Sequence, residues 1–238
     1  MSNVGNGIKA GNANWQFNGE TVMNFNEHIE RSVPLYAHGH KIICDLSDFF
    51  ISSNSLCYEL GCSTGSLSLQ LAAHNQHKSA HFVGIDIEQD MIQYASEAAL
   101  QSGQKNLEFV ADDIVQIELK TADMIVAYYT VQFIRPSQRQ LLINKIYESL
   151  NWGGAFLLFE KVRANDARFQ DIMTSLYQEY KLEQGYNAEE ILSKSRSLKG
   201  ILEPFSTQGN IDLLKRAGFV DIISIFKYLS FEGFLCIK

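Results

Sequence analysis

Short apolar segments and helical patterns alternate through the middle of the chain, and this alternation restricts the possible folds more than any other feature. Segments with the length of buried strands lie at 55–60, 80–85, 107–111, 124–129 and 155–159. Helical patterns lie at 41–50, 66–73, 90–101, 137–150 and 211–217. Strands that are joined by helical crossovers pair in parallel. The sequence therefore predicts an α/β fold with a parallel sheet and right-handed crossovers.

Both ends of the chain depart from this alternation. Strands at 220–227 and 230–237 are separated by a short turn, so they are expected to pair antiparallel. The polar helical stretch at 162–206 is predicted to be an insertion over the carboxyl edge of the sheet, where ligands bind in such folds. Residues 1–40 are predicted to form a tail, frayed over 1–13, and a helical cap, leaving 41–238 as the main domain.

Composition excludes several classes of protein. With 46% hydrophobic and 20% charged residues, the chain is too apolar to be disordered. It contains neither an apolar run of membrane-spanning length nor the pattern of a secretory signal, so a cytoplasmic protein is expected. The net charge of −7 disfavours direct nucleic-acid binding. The four cysteines form no C-x-x-C pair, so buried free thiols are expected rather than a metal site.

The segment ELGCSTG at 59–65 lies between the first predicted strand and the helix that follows it. Gly61 and Gly65 allow a tight turn, and free N–H groups at the start of a helix favour an anion. Such a turn can also simply connect a strand to a helix. It lacks the G-x-G-x-x-G spacing of dinucleotide sites, which favours a smaller ligand with a carboxylate in place of the pyrophosphate.

Two further acidic residues follow successive strands. Asp86 ends the second strand and can accept both ribose hydroxyls of an adenosine, while Ile87 can cover the adenine ring. Asp113 follows the third strand and can accept the adenine amino group, with Ile114 packing on the ring. Alone, either acid could cap a helix or lie in a solvated turn. Together with the glycine turn, at one edge of a parallel sheet, they predict an adenosine-containing ligand.

The ELGCSTG turn and the Gly218-Phe219 pair before the last strands resemble class I S-adenosylmethionine-dependent methyltransferases. This resemblance covers about 41–160 and 207–238. It implies a Rossmann-like seven-stranded sheet with an antiparallel last strand, and S-adenosylmethionine as the cofactor.

A closer resemblance extends over nearly the whole chain. The segments RSVPLY at 31–36, YTVQFIRPSQRQ at 129–140 and EK at 160–161 resemble the bacterial carboxy-S-adenosylmethionine synthase family. That family makes carboxy-S-adenosylmethionine from S-adenosylmethionine and prephenate, for wobble-uridine modification in tRNA, and its members are homodimers. The resemblance implies a cofactor site formed by Tyr36, Gly61, Cys62, Ser63, Asp86, Asp113, Ile114 and Tyr128.

Three departures from this family fall on the expected site. The family motif N-F-T-L-Q-F is YYTVQF here, so Tyr128 replaces a cofactor-contacting asparagine. Ile87 replaces another asparagine. The carboxylate-binding arginine of the family's K-R-S motif aligns with Ser195, unless a one-residue shift brings Arg196 into its place. These changes indicate a paralogue that has returned to methyl transfer.

Several side chains are candidates for the chemistry. Methyl transfer depends mainly on positioning and exclusion of water, for which Tyr128 and Tyr129 can supply an aromatic wall. Tyr128 can also orient an acceptor, although strand alternation predicts that one of the pair points into the core. Glu160 is a candidate general base, or else an ion-pair partner of a neighbouring cation. The candidates for binding an acidic substrate are Arg31, Arg163 and Arg196, and the weaker candidate bases are His38 and His40.

The sequence thus predicts an S-adenosylmethionine-dependent methyltransferase acting on a small anionic acceptor. Two alternatives remain open: a carboxy-S-adenosylmethionine synthase that uses prephenate, and a non-catalytic protein that binds the cofactor. A homodimer is expected from the resemblance alone.

Overall fold

The computed structural model describes residues 1–17 and 19–238. A central sheet has the strand order β5-β4-β3-β6-β7-β9-β8. Its strands are β3 (Leu56–Leu60), β4 (His81–Asp86), β5 (Leu107–Ala111), β6 (Ala122–Tyr128), β7 (Leu150–Lys161), β8 (Asp221–Tyr228) and β9 (Phe231–Ile237). A separate hairpin near the start of the chain consists of β1 (Ser2–Asn3) and β2 (Lys9–Ala10).

The strand pairing follows the predicted topology. The strands from β3 to β7 pair in parallel, with β3 between β4 and β6. β9 is antiparallel to both neighbours and lies between β7 and β8. The α/β fold, the seven strands and the antiparallel last strand are therefore confirmed.

Among the described residues, eight α-helices surround the sheet. They are α1 (Glu20–Ser32), α2 (Tyr36–Phe50), α3 (Ser66–His74), α4 (Gln89–Ser102), α5 (Pro136–Ser149), α6 (Ala167–Glu183), α7 (Ala188–Ser197) and α8 (Thr207–Ala217). Pro136 occupies the first turn of α5, where its missing N–H leaves no helical hydrogen bond unmade. In the described part of the chain, no helix has the length and apolarity that a membrane span requires.

Apolar layers cover both faces of the sheet. Leu142 and Ile146 of α5 and Leu214 of α8 are fully buried on one face. Ile43 of α2 and Leu71 of α3 lie in the second layer, on the other face. Because both faces are covered, the central strands are nearly continuous apolar segments, as in the sequence.

The N-terminal region is more ordered than the sequence suggested, and the prediction of a frayed segment at 1–13 is wrong. The β1–β2 hairpin buries Val4 and Ile8 together with Trp15. The N–H groups of Ala13 and Trp15 donate to carbonyls in the last turn of α7. The glycines and asparagines that suggested disorder form the turns of this hairpin. The predicted domain boundary at residue 40 falls inside α2.

Candidate functional site

A cavity of about 560 Å³ opens at the carboxyl edge of the parallel strands. The ends of β3, β4, β6 and β7 form its floor, and α1, α6 and α7 contribute walls. Trp15 and Phe17, from the segment that follows the hairpin, also line it. This volume is in the range of small-molecule sites.

The glycine turn lies at one side of the cavity. The N–H groups of Gly61 and Cys62 both donate to Ile85 O, at 2.7 and 3.0 Å. Gly61 has φ 76°, and a Cβ there would overlap the Thr130 side chain. Gly61, Cys62 and Ser63 line the cavity as predicted.

Gly65 has a different role from the predicted one. It adopts φ 75° at the start of α3, where a Cβ would overlap Phe109 and Ala95. It lies outside the cavity lining. The residue is therefore a packing glycine between α3, β5 and α4, and its assignment to cofactor binding is corrected.

Asp86 both shapes the turn and faces the cavity. Its Oδ2 accepts the Ser63 N–H at 2.8 Å, and its Oδ1 accepts the Glu88 N–H at 3.0 Å. Burial raises the pKa of this carboxyl. Each carboxylate oxygen has a second lone pair for a ligand, so the structural and ligand-binding roles are compatible. Ile87, which is 67% exposed, lies beside it at the rim.

The loop after β5 carries the second acid. Asp113 Oδ1 accepts the Val115 N–H at 2.8 Å, and both Asp113 and the buried Ile114 line the cavity. Lys145 of α5 donates to the carbonyls of Ile114, Val115 and Ile117 at 2.6, 2.9 and 2.8 Å. These three hydrogen bonds hold the loop that carries Asp113 against α5, a role of Lys145 that the sequence did not indicate.

The Tyr128-Tyr129 pair departs from strand alternation. Both rings are buried and both line the cavity, because β6 ends at Tyr128 and Tyr129 has φ 60°. The Tyr128 hydroxyl donates to Tyr36 O at 2.6 Å, and Gly39 leaves it space. This hydroxyl is therefore engaged within the protein, which corrects its predicted role of orienting an acceptor. Tyr36 lines the same wall.

Three lysines line the far side of the cavity: the half-buried Lys161 at the end of β7, and the buried Lys181 on α6 and Lys194 on α7. None of them pairs with a carboxylate of the described residues. The ammonium groups of Lys161 and Lys181 lie 4.3 and 5.1 Å from the Tyr177 ring centroid, and Lys194 lies over Trp15.

Burial lowers the pKa of Lys161 and of Lys181 to about 8, each with a smaller contribution from a nearby cation. Burial, with a contribution from Lys181, also lowers the pKa of Lys194 well below its ordinary 10.5. His28 lies close to these cations, and burial together with their charge lowers its pKa to about 2. Unpaired buried cations are costly, so this arrangement indicates a site for an anion.

Three predicted functional residues lie outside the cavity lining of this chain. Arg31 donates twice to Gln184 O and packs on the Tyr186 ring, so it connects α1 to the end of α6. Arg196 is exposed on α7. Glu160 is buried on the other side of β7 from Lys161, and burial raises its pKa to about 8.

The secondary candidates are also placed by the structure. Arg163 is exposed and pairs through its backbone with Ser206. His40 is buried between Tyr36 and Tyr128, with Nδ1 3.1 Å from Gln70 Nε2. Both residues, and His38, lie outside the lining.

Comparison with known proteins identifies the family of this chain. A family profile described as a methyltransferase domain matches residues 51–217. The carboxy-S-adenosyl-L-methionine synthase of Staphylococcus epidermidis is 36% identical over 94% of this chain and 97% of that protein. The chain belongs to the carboxy-S-adenosyl-L-methionine synthase family, within the methyltransferase-domain proteins. It is an S-adenosylmethionine-dependent transferase by family.

Other members and neighbours support the same placement. The carboxy-S-adenosyl-L-methionine synthase of Helicobacter hepaticus is 37% identical over 94% of this chain and 95% of that protein. A putative S-adenosylmethionine-dependent methyltransferase from Methanococcus maripaludis superposes with a TM-score of 0.63, covering 98% and 97% of the two chains at 17% identity. At that identity the superposition shows the fold alone. It does not specify which group is transferred.

Proposed function

We propose that the protein binds S-adenosylmethionine together with a small anionic molecule and catalyses group transfer between them. The observation that carries this proposal is the sharing of one cavity by two sets of groups. The glycine turn and two strand-end acids line one side, and Lys161, Lys181 and Lys194 line the other. The cofactor has a single carboxylate, so it can balance at most one of the three lysines.

The residues on the first side fit an adenosyl cofactor by their chemistry. Asp86 and Asp113 retain acceptor capacity for the ribose and the adenine amino group. The turn at Gly61–Ser63 brings backbone close to the ligand. When bound, S-adenosylmethionine would supply a methyl group activated by its sulfonium, whose positive charge is lost when the methyl is transferred and kept when the methyl is carboxylated.

The chain's own residues bind, orient and desolvate the second molecule. The lysines can balance its negative charge without a large reorganisation, because their positions are fixed by packing on Tyr177 and Trp15. The aromatic walls formed by Tyr36, Tyr128 and Tyr129 exclude water, which favours a reaction that dissipates charge.

Two reactions fit a cavity that holds the cofactor beside a small anion. Methyl transfer to the anion is our first proposal. Its basis is that Tyr128 and Ser195 occupy the positions of an asparagine that contacts the cofactor and an arginine that binds the carboxylate in the carboxy-S-adenosylmethionine synthase pattern. Synthesis of carboxy-S-adenosylmethionine is the second, and the names of the relatives favour it. Ser195 counts against the synthase reaction, because a serine hydroxyl cannot balance the charge of a carboxylate as an arginine does.

Mass spectrometry of small molecules released from the purified, heat-denatured protein separates these reactions. The measurement is made directly, and again after incubation with S-adenosylmethionine plus prephenate or plus a panel of small carboxylic acids. A methylated acid with S-adenosylhomocysteine would support methyl transfer. A cofactor with one extra carboxylate, formed only with prephenate, would support the synthase. Absence of any adenosine ligand, with no binding on titration, would contradict the proposal as a whole.

We also propose that the protein forms a homodimer, as the family resemblance implies. The described part of α6 exposes Phe169, Ile172 and Leu176 at helical spacing. The unpaired outer edge of β8, with the exposed Ile223, lies on the same side, since the Tyr180 and Tyr228 rings are 6.5 Å apart. Two copies of such a face can cover each other about a two-fold axis.

Light scattering on the purified protein tests the dimer. We expect the mass of two chains, falling to one chain in the Ile172→Glu variant. The exposed Met23→Glu variant, on α1, serves as the control and should stay dimeric. A monomeric wild-type protein would contradict this proposal without affecting the proposed chemistry.

A further inference from the structure

One hydroxyl in the cavity has no partner within the described residues. The Tyr129 Oη atom is buried, and the side chain as a whole is only 6% exposed. Two neighbouring tyrosines are satisfied: Tyr128 donates to Tyr36 O, and Tyr177 donates to Ser32 O at 2.7 Å. A buried hydroxyl without a hydrogen bond is unfavourable, so its retention calls for a ligand.

The backbone around Tyr129 is arranged to hold it in this position. With φ 60°, it adopts a left-handed conformation that bulky residues rarely adopt. Its N–H donates to Phe159 O at 2.8 Å, and its carbonyl accepts from Gln132 Nε2 at 3.1 Å. Strain of this kind persists where surrounding contacts impose it, and such positions cluster at functional sites.

The same glutamine also positions Lys161. Gln132 Oε1 accepts the Lys161 N–H at 2.8 Å, so one amide group connects the backbones of Tyr129 and Lys161. Both side chains then pack on Phe231: the Tyr129 ring lies 5.8 Å from its centroid, and the Lys161 ammonium 5.7 Å. A free hydroxyl donor and an unpaired cation are therefore held on one wall of the cavity.

We propose that Tyr129 and Lys161 form a subsite for a carboxylate of the second substrate. The Tyr129 hydroxyl donates a hydrogen bond to one carboxylate oxygen, and the Lys161 ammonium balances the charge. Tyr129 is then a specificity-determining residue, because only a substrate with an oxygen at this point satisfies its hydroxyl. This inference rests on the proposed function, since it concerns the anion that the lysine side of the cavity binds.

The test measures anion binding and stability in the same variants. Protein saturated with S-adenosylhomocysteine is titrated calorimetrically with prephenate, benzoate, malonate and inorganic phosphate. In Tyr129→Phe we expect carboxylate affinity to fall about 10- to 100-fold, as for loss of a hydrogen bond to a charged group. Without ligand, Tyr129→Phe should be as stable as the wild type or more stable, because the deleted hydroxyl has no hydrogen-bond partner among the described residues.

The control is Tyr58→Phe, a buried tyrosine outside the cavity whose hydroxyl accepts the Lys120 N–H. It should lose stability and keep full anion affinity. Equal carboxylate binding by Tyr129→Phe and wild type would overturn the subsite alone, as would a loss of stability in Tyr129→Phe or a greater loss of phosphate than of carboxylate binding. If the wild type binds none of the four anions, the proposed function itself fails, and the subsite with it.

Discussion

The two sides of the cavity differ in how their polar groups are satisfied. We call the side with the glycine turn, Asp86 and Asp113 the cofactor side, and the side with the three lysines the lysine side. On the cofactor side, Asp86 accepts two backbone N–H groups, Asp113 accepts one, and Lys145 donates to three carbonyls. On the lysine side, Lys181 and Lys194 have no acidic partner among the described residues. The first side is built by its own hydrogen bonds. The second lacks internal partners for its cations, and under the proposed function an anion supplies them.

This difference separates binding from stability in a testable way. A substitution on the cofactor side should remove an internal hydrogen bond and a ligand contact together. A substitution on the lysine side should remove a ligand contact while relieving an unfavourable burial. The same loss of activity would thus accompany opposite changes in the free energy of unfolding.

The largest expected effect is at Lys181, which is 8% exposed. Lys181→Met should reduce the rate of transfer about 100-fold or more, because a buried anion loses a compensating charge. It should also raise the free energy of unfolding of the ligand-free protein by about 1–3 kcal/mol. Urea unfolding and a transfer assay check the two effects. Lys41→Met, at an exposed lysine paired with Asp45, should change neither, and a less stable Lys181→Met would contradict the comparison.

The next effect is on the cofactor side. Asp86→Asn should weaken S-adenosylmethionine binding about 10- to 100-fold and lower the free energy of unfolding by about 1–3 kcal/mol. The cause is that one of the Ser63 and Glu88 N–H groups then faces an amide N–H₂. The control is Asp123→Asn. Asp123 lies outside the cavity and accepts the Leu56 N–H, so this variant should lose stability and bind the cofactor as the wild type does.

A smaller effect should appear in the pH dependence of stability. The pKa of Lys181 is about 8 in the folded protein, below its ordinary 10.5. Between these values the unfolded chain binds more protons, so this group makes the folded state more stable as pH rises. The advantage of Lys181→Met over wild type should therefore be full below pH 8 and vanish near 10.5.

The prediction concerns the difference in free energy of unfolding between Lys181→Met and wild type. The difference is needed because the buried thiols make the folded state of both proteins less stable as pH rises. Burial raises the pKa of Cys44 to about 11, and that of Cys57 is also raised. Above the ordinary thiol pKa, the unfolded chain therefore loses protons that the folded state keeps. Chemical denaturation of both proteins at intervals from pH 7 to 10.5 cancels this contribution. An advantage independent of pH would show that the pKa of Lys181 is the same in the folded and the unfolded chain.

The smallest effect is expected at Glu160, which belongs to neither side. Glu160→Gln should leave transfer within about threefold of wild type, since the side chain is buried outside the cavity lining. Steady-state kinetics measure this directly. A hundredfold loss in kcat, with a normal fold, would restore the general-base assignment that the sequence suggested.

The parallel strands, the antiparallel pair at the end of the chain and the acidic residues on one side of the cavity were predictable from the sequence. The glycine turn, Asp86 and Asp113 were found because each directly follows an apolar strand, and residues there meet at one edge of a parallel sheet. The strand at Leu107–Ala111 was predicted to the residue. The start of α2 was missed by five positions, because Tyr36 to His40 carry no apolar stripe.

The lysine side was not predictable, because its members come from separate elements and carry no local pattern. Glu160 and Lys161 differ by one position at the end of β7, so choosing between them requires the face of the strand. Lys181 and Lys194 lie on two helices of an insertion whose packing the sequence does not fix. The conformation of Tyr129 depends on the contacts of Gln132, which only the fold brings together.

The position of β9 between β7 and β8 has a consequence for how the protein is made in the cell. β8 is translated before β9, and in the described sheet β9 is its only partner. While β8 emerges from the ribosome, its backbone hydrogen-bonding groups therefore have no strand to bind, and the edge of β7 is equally open. The sheet closes only after 231–237 leave the exit tunnel. During this interval the nascent chain is open to chaperones, and to pairing with another nascent copy.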